Sequence, residues 1–109
     1  NIHLKSDKNI QIDFSALHQI EKVTTLPLVL HGGSGISVSL RKYLARESRV
    51  SKFNIGTELR MAFGNSLRKS LKENPNTFDR IKLLLPTVDA VKDKTIEVIK
   101  ALNGTSDEI

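Results

Sequence analysis

The chain has 109 residues and a mass of 12.2 kDa, enough for one small domain. Apolar residues make up 39% and charged residues 27%, which is ordinary for a soluble globular chain, and no apolar run is long enough to span a membrane. The absence of cysteine excludes disulfides, thiolate metal sites and cysteine nucleophiles, and it leaves the redox compartment open. The net charge of +5 suits an anionic partner: nucleic acid, acidic lipid or a phosphorylated metabolite.

The spacing of Leu, Ile and Val predicts short buried strands that alternate with helices. In chain order, the patterning predicts a helix over 14–23 capped by Asp13, a strand over 28–30, a helix over 38–47 capped by Ser37, a strand over 50–55, a helix over 57–73 and a helix over 80–102. Pro86 predicts a break or a kink in the last helix. Strand–helix alternation of this kind favours an α/β fold with parallel strands.

A glycine-rich segment, residues 31–35, follows the first of these strands. Glycine lets the backbone approach a ligand closely, and consecutive N–H groups at a helix N-terminus can bind an anion. An ordinary turn is the alternative interpretation. The segment 54–57 follows the end of the second strand in the same way. It is either a helix cap or the second half of one ligand site. The second interpretation is possible because parallel strands bring their carboxyl ends together.

Three histidines are candidate metal ligands. His31 follows the first predicted strand, and His3 lies one strand–helix unit earlier, so both imidazoles can face one pocket. His18 is predicted to lie in the first helix, away from the strand ends. Two neutral imidazoles suit zinc, whereas a catalytic zinc site usually has three protein ligands. The sequence supplies no third.

The segments 27–36 (PLVLHGGSGI), 52–60 (KFNIGTELR) and 1–3 (NIH) resemble, in order, signature segments of the class II, zinc-dependent ketose-bisphosphate aldolases. The resemblance covers nearly the whole chain but only the last two-fifths or so of a family member. It implies that residues 1–109 are the C-terminal part of a single (β/α)₈ TIM-barrel domain, about strands 6–8 with their helices and a helical extension. The chain begins at Asn1 without Met, which we interpret as a piece of something longer.

The resemblance also implies a function, namely reversible, zinc-assisted aldol cleavage of fructose- or tagatose-1,6-bisphosphate to dihydroxyacetone phosphate and glyceraldehyde 3-phosphate. The implied metal ligands are His3 and His31, with the third histidine and the general acid–base aspartate expected upstream, so this chain alone is expected to be inactive. The implied substrate-binding residues are Leu4, Gly32, Gly33, Ser34, Asn54, Ile55, Gly56, Thr57 and Arg80, the last reaching a neighbouring subunit. Zn²⁺, with or without a monovalent cation, a homodimer or homotetramer and a cytoplasmic location are further implications.

Several positions depart from the family pattern. Leu4 replaces the glycine after the first zinc histidine, and Phe78 and Asp79 stand where the family has Asp-Pro before the arginine. Gly56 stands where fructose-type members commonly have aspartate and tagatose-type members a small residue. We therefore lean away from a strict fructose-bisphosphate enzyme.

Two other functions stay open. A non-catalytic, phosphate-binding or oligomerising barrel fragment that needs a partner chain is the alternative, because the third histidine and the aspartate are missing. Nucleic-acid binding is suggested by the net charge and by the basic pairs Arg41-Lys42 and Arg68-Lys69. It is disfavoured, because we expect these charges on exposed helix faces with acidic residues interleaved, and no aromatic platform accompanies them. We expect no membrane partner. Exposed strand edges predict that the isolated chain associates into oligomers.

Overall fold

A computed structural model describes residues 11–103. The elements are α1 (Phe14–Val23), β1 (Leu28–Leu30), α2 (Val38–Glu47), β2 (Val50–Phe53), α3 (Thr57–Glu73) and α4 (Arg80–Asn103), with a single 3₁₀ turn at Gly33–Gly35. This order confirms the mixed α/β class. Within the same residues, no helix combines the length and the apolar character that crossing a membrane requires.

The two strands pair in parallel, as the helical crossover between them predicts. Leu28 pairs with Val50 and Leu30 with Phe53, with an irregularity in register after Leu28. Val29 is 48% exposed, so the prediction of a strand buried on both faces is wrong for the described part of the chain. The physical reason is that no element described between residues 11 and 103 covers the face that Val29 occupies.

Side-chain caps fix the starts of the first two helices, as predicted. The Ala16 amide donates to Asp13 Oδ1 over 2.9 Å, and the Leu40 amide donates to Ser37 Oγ over 3.2 Å. Each cap satisfies an amide that has no partner within its own helix. The cap at Ser37 sets where α2 begins after the glycine-rich segment.

The buried apolar core of the described residues is small and lies between α2, β2 and α4. It consists of Ile36, Leu44, Val50 and Val98. Helix α4 packs along α3 and also contacts α2, so it holds together the helices that follow the two strands. Arg41 of α2 is buried too, with 2% of its surface exposed, so the expectation of an exposed helix face is wrong for this residue.

Helix α4 is continuous through Pro86, so the predicted break does not occur. Proline cannot donate an amide hydrogen bond, so the turn before it loses a donor. Two buried hydroxyls act on carbonyls in that turn: Ser70 Oγ of α3 donates to Leu83 O over 2.7 Å, and Thr87 Oγ1 donates to Leu84 O. The carbonyl that Pro86 leaves without its usual helical donor is that of Lys82, four residues earlier, so these two bonds lie beside the missing bond and do not replace it.

Candidate functional site

A cleft of about 170 Å³ opens where β1 and β2 end. Its lining residues come from the two loops that follow the strands and from the start of α3: His31, Gly32, Ser34, Asn54, Ile55, Gly56, Thr57 and Arg60. Parallel strands place both loops at one edge of the sheet. The structure therefore brings together most of the residues that the sequence singled out within 11–103.

The first loop depends on two glycines for different reasons. Gly32 has φ +69°, a left-handed conformation that other residues rarely adopt. A Cβ on Gly33 would lie 2.7 Å from Ile55 Cδ1, so a side chain there would force the terminal methyl group of Ile55 to move. The Gly33 amide donates to Asn54 O over 3.0 Å. Gly33 thus joins the loops, and it is not among the residues that line the cleft.

Ser34 connects the first loop to the start of α3. Its Oγ accepts hydrogen bonds from the amides of Gly56 and Glu58, each over 3.3 Å, which is long for such bonds. An oxygen atom therefore lies at the N-terminus of α3, where the helix dipole favours negative charge. The Ser34 hydroxyl thus accepts hydrogen bonds from amides at a helix N-terminus, where the sequence predicted that amides bind an anion.

His31 and Asn54 form a direct contact between the two loops. Asn54 Nδ2 lies 2.9 Å from His31 Nδ1, within hydrogen-bond distance. The contact fixes the His31 ring and the Asn54 carboxamide relative to each other at the edge of the cleft. Histidine is a common metal ligand, so the position of this ring matters for any metal at this edge.

The cleft is electrostatically suited to an anion. Its lining contains the cationic side chain of Arg60 and no carboxylate. A Cβ on Gly56 would lie 3.2 Å from Nη1 and from Nη2 of Arg60, so the guanidinium lies against the backbone of the second loop. Sequence reasoning missed Arg60. Its position one helical turn after Gly56 is the signal that could have identified it.

The remaining predicted residues lie elsewhere. His18 is on α1, where its side chain is 62% exposed and 3.4 Å from Glu21, so the prediction that it lies away from the strand ends is confirmed. Arg80 is exposed at the start of α4 and does not line the cleft. His3 and Leu4 lie outside the described residues. Within 11–103, no three His, Cys, Asp or Glu side chains cluster as a metal site would require.

Together, fold and cleft define an α/β protein whose two parallel strands end in loops that line one cleft. The model of the family described as "Fructose-bisphosphate aldolase class-II" matches residues 1–107. The chain belongs to this family.

Several curated relatives carry aldolase names. The chain is 38% identical to the fructose-bisphosphate aldolase of Mycoplasma genitalium over 106 residues (91% of this chain, 36% of that protein), and 36% identical to that of Geobacillus stearothermophilus over 86 residues (79% and 30%). It is 34% identical to the 6-phospho-5-dehydro-2-deoxy-D-gluconate aldolase of Bacillus licheniformis over 95 residues (85% and 32%). The chain spans about a third of the length of these relatives.

Proposed function

We propose that this chain is part of a zinc-dependent aldolase that reversibly cleaves a phosphorylated sugar, with fructose- or tagatose-1,6-bisphosphate as substrate and dihydroxyacetone phosphate and glyceraldehyde 3-phosphate as products. Family membership over residues 1–107 supports aldol chemistry. The observation that carries the proposal is that His31 and Asn54 are in contact in a cleft that both strand-end loops line.

The proposed architecture is the C-terminal part of a (β/α)₈ barrel, corresponding to about strands 6–8. Two parallel strands with helices after each of them are the repeating unit of such a barrel. The exposed face at Val29 is consistent with a layer of apolar side chains from the rest of such a barrel packing on it. The third strand of this part would contain His3.

The phosphate of the substrate would bind between the loops. Gly32, Ser34 and the segment Asn54–Thr57 surround the cleft, and Arg60 supplies positive charge. The N-terminus of α3 adds the partial positive charge of its amides. Binding the phosphate here would fix the reacting carbons of the sugar relative to His31.

The zinc ligands would be His31, His3 and a residue outside this chain, and a monovalent cation could accompany zinc. His31 fits this role because its imidazole lines the cleft at the end of β1, and histidine is a common zinc ligand. Zinc, when bound, supplies Lewis-acid stabilisation of the negative charge that develops on the sugar oxygens. Asn54 would orient the His31 ring and place a carboxamide beside the reacting end of the sugar.

Activity is tested in the natural polypeptide that carries this sequence, at its full length. We expect it to retain zinc after dialysis and to cleave at least one of the two bisphosphates. H31A should lower both zinc content and kcat, the latter by at least about 100-fold. H18A, the matched control on exposed α1, should leave both unchanged. A zinc-loaded protein that cleaves neither sugar would contradict the proposal as stated.

The second candidate is a non-catalytic barrel fragment that binds phosphate and needs a partner chain. Its support is that no three His, Cys, Asp or Glu side chains cluster as a metal site would require within residues 11–103. Phosphate binding without cleavage, restored to cleavage by a separate polypeptide, would support this alternative.

We further propose a homo-oligomer, in which Arg80 binds the substrate held by a neighbouring subunit. It is supported by the exposure of Phe78 and Ile81, which are 90% and 67% exposed beside Arg80. Sedimentation of the natural polypeptide as a dimer or tetramer is the expected result. A monodisperse monomer would contradict it.

A further inference from the structure

Arg41 is a buried cation next to the candidate site but outside its lining. Its guanidinium is 2% exposed, and Nη1 lies 2.8 Å from Oε1 of Glu58, whose side chain is 21% exposed. Among the residues that the structure describes, Arg41 Nε, Arg41 Nη1 and Glu58 Oε1 have no partner with hydrogen-bond geometry. The contact between the two side chains is therefore mainly an attraction of opposite charges.

Glu58 occupies an unusual place for a carboxylate beside an anion site. It lies in the first turn of α3, and its own amide donates to Ser34 Oγ in the cleft. A carboxylate in the first turn is attracted by the positive end of the helix. The same end is what an incoming phosphate uses, so an uncompensated Glu58 would oppose phosphate binding.

We propose that Arg41 is a positioning residue that cancels the charge of Glu58 and so keeps the N-terminus of α3 available to a phosphate group. The proposal rests on the phosphate site proposed above and adds a residue from α2 to it. Arg41 acts through Glu58 and has no contact with the ligand. The burial of Arg41 keeps its attraction to Glu58 effective, because a buried pair is screened less by salt than an exposed pair.

The proposal predicts opposite effects for the two partners. In the natural full-length protein titrated with inorganic phosphate at low ionic strength, R41M should weaken binding about fivefold to tenfold, because it leaves a net negative charge at the helix end. E58Q should strengthen binding about twofold to fivefold, although it leaves Arg41 buried without a counter-charge and so lowers the melting temperature. The double variant R41M/E58Q should bind within about twofold of the unmodified protein, since both charges are gone.

Lys69 and Glu73 provide matched controls on the same helix. They form an exposed i,i+4 pair with N···O 4.0 Å, so K69M and E73Q change the net charge identically but at the distant end of α3. Both should leave phosphate affinity unchanged. R41K, which keeps the positive charge, should bind phosphate about as well as the unmodified protein.

The outcomes separate this inference from the proposed function. Higher affinity combined with lower stability in E58Q is a result that a purely structural pair does not produce, and it can be measured even if R41M fails to fold. Weaker binding in E58Q, or equal shifts in the Lys69 and Glu73 controls, would overturn the role of Arg41 and leave the phosphate site standing. No binding by the unmodified protein would overturn both.

Discussion

The loops after β1 and β2 look alike in the sequence but are built differently. The first loop, residues 31–37, holds its shape through local backbone features: a left-handed glycine, a 3₁₀ turn and the Ser37 cap. The second loop, Asn54–Gly56, is held largely by the first. Its Asn54 carbonyl accepts from the Gly33 amide, and its Gly56 amide donates to Ser34 Oγ.

Within the cleft, the first loop therefore mainly supports the structure, and the second loop mainly provides the surface that would face a ligand. The first loop uses the Gly33 amide and the Ser34 hydroxyl to place the second loop and the start of α3. The second loop then presents Asn54 to the cleft, and the start of α3 presents Thr57 and Arg60. A change in the first loop should therefore disturb both loops, whereas a change in the second should remain local.

The largest effect is expected at Gly33. A Cβ would lie 2.7 Å from Ile55 Cδ1 and 3.4 Å from Asn54 O, so G33A should lower the free energy of unfolding by about 2 kcal/mol. Chemical denaturation of the natural full-length protein measures the change. In an I55A background the nearest clashing atom is gone, and the penalty for G33A should shrink by about half.

Gly32 is the control for this prediction. A Cβ there meets nothing within 4 Å, but φ is +69°, so G32A should cost about 1 kcal/mol for backbone reasons alone. This cost should be the same with Ile55 or Ala at position 55. Equal penalties for G33A in both backgrounds would mean that the contact between the loops is not the cause.

A smaller effect is expected when Ser34 loses its hydroxyl. S34A removes the shared acceptor of the Gly56 and Glu58 amides, which should cost about 1 kcal/mol of stability. It should also shift the affinity for inorganic phosphate, because the amides then have no partner from the first loop. S37A, which removes the α2 cap, should cost a similar amount with unchanged affinity. If the two variants behave alike in phosphate titration, Ser34 does not place the second loop.

The smallest effect is expected at Gly56. A Cβ there would lie 3.2 Å from the guanidinium of Arg60, the far end of a flexible side chain, and φ is −137°. G56A should therefore change the free energy of unfolding by no more than about 0.5 kcal/mol. A penalty as large as that of G33A would contradict the view that changes in the second loop remain local.

Local signals in the sequence predicted much of the fold. Asp13 and Ser37 mark the starts of two helices because their side chains satisfy amides three residues later. The parallel pairing follows from the helix between the strands. Pro86 predicted a break or a kink, and α4 has no break there. The hydroxyl of Ser70, from another helix, bonds to a carbonyl in the turn before Pro86. No local pattern reveals a donor that arrives from 13 residues away.

The candidate site was predictable as two loops but not as a set of contacts. Glycine spacing identified Gly32 and Gly33, yet it could not distinguish a glycine that faces the cleft from one that fits against Ile55. The sequence predicted that Arg41 lies on a solvated helix face, because a charged residue on a helix is usually exposed. Its burial results from tertiary packing, and its partner Glu58 lies 17 positions along the chain.

The Ser70 hydroxyl, which bonds to Leu83 O, also sets the register of the hairpin made by α3 and α4. Ser70 is 4% exposed. Sliding α4 along α3 by one residue would therefore leave the buried Ser70 hydroxyl without an acceptor, which costs about 1–3 kcal/mol. Apolar side chains alone tolerate such slippage, because one aliphatic neighbour replaces another. The hydrogen bond therefore fixes the alignment that apolar contacts alone would leave variable, and α4 packs against α3 at one defined position along its length.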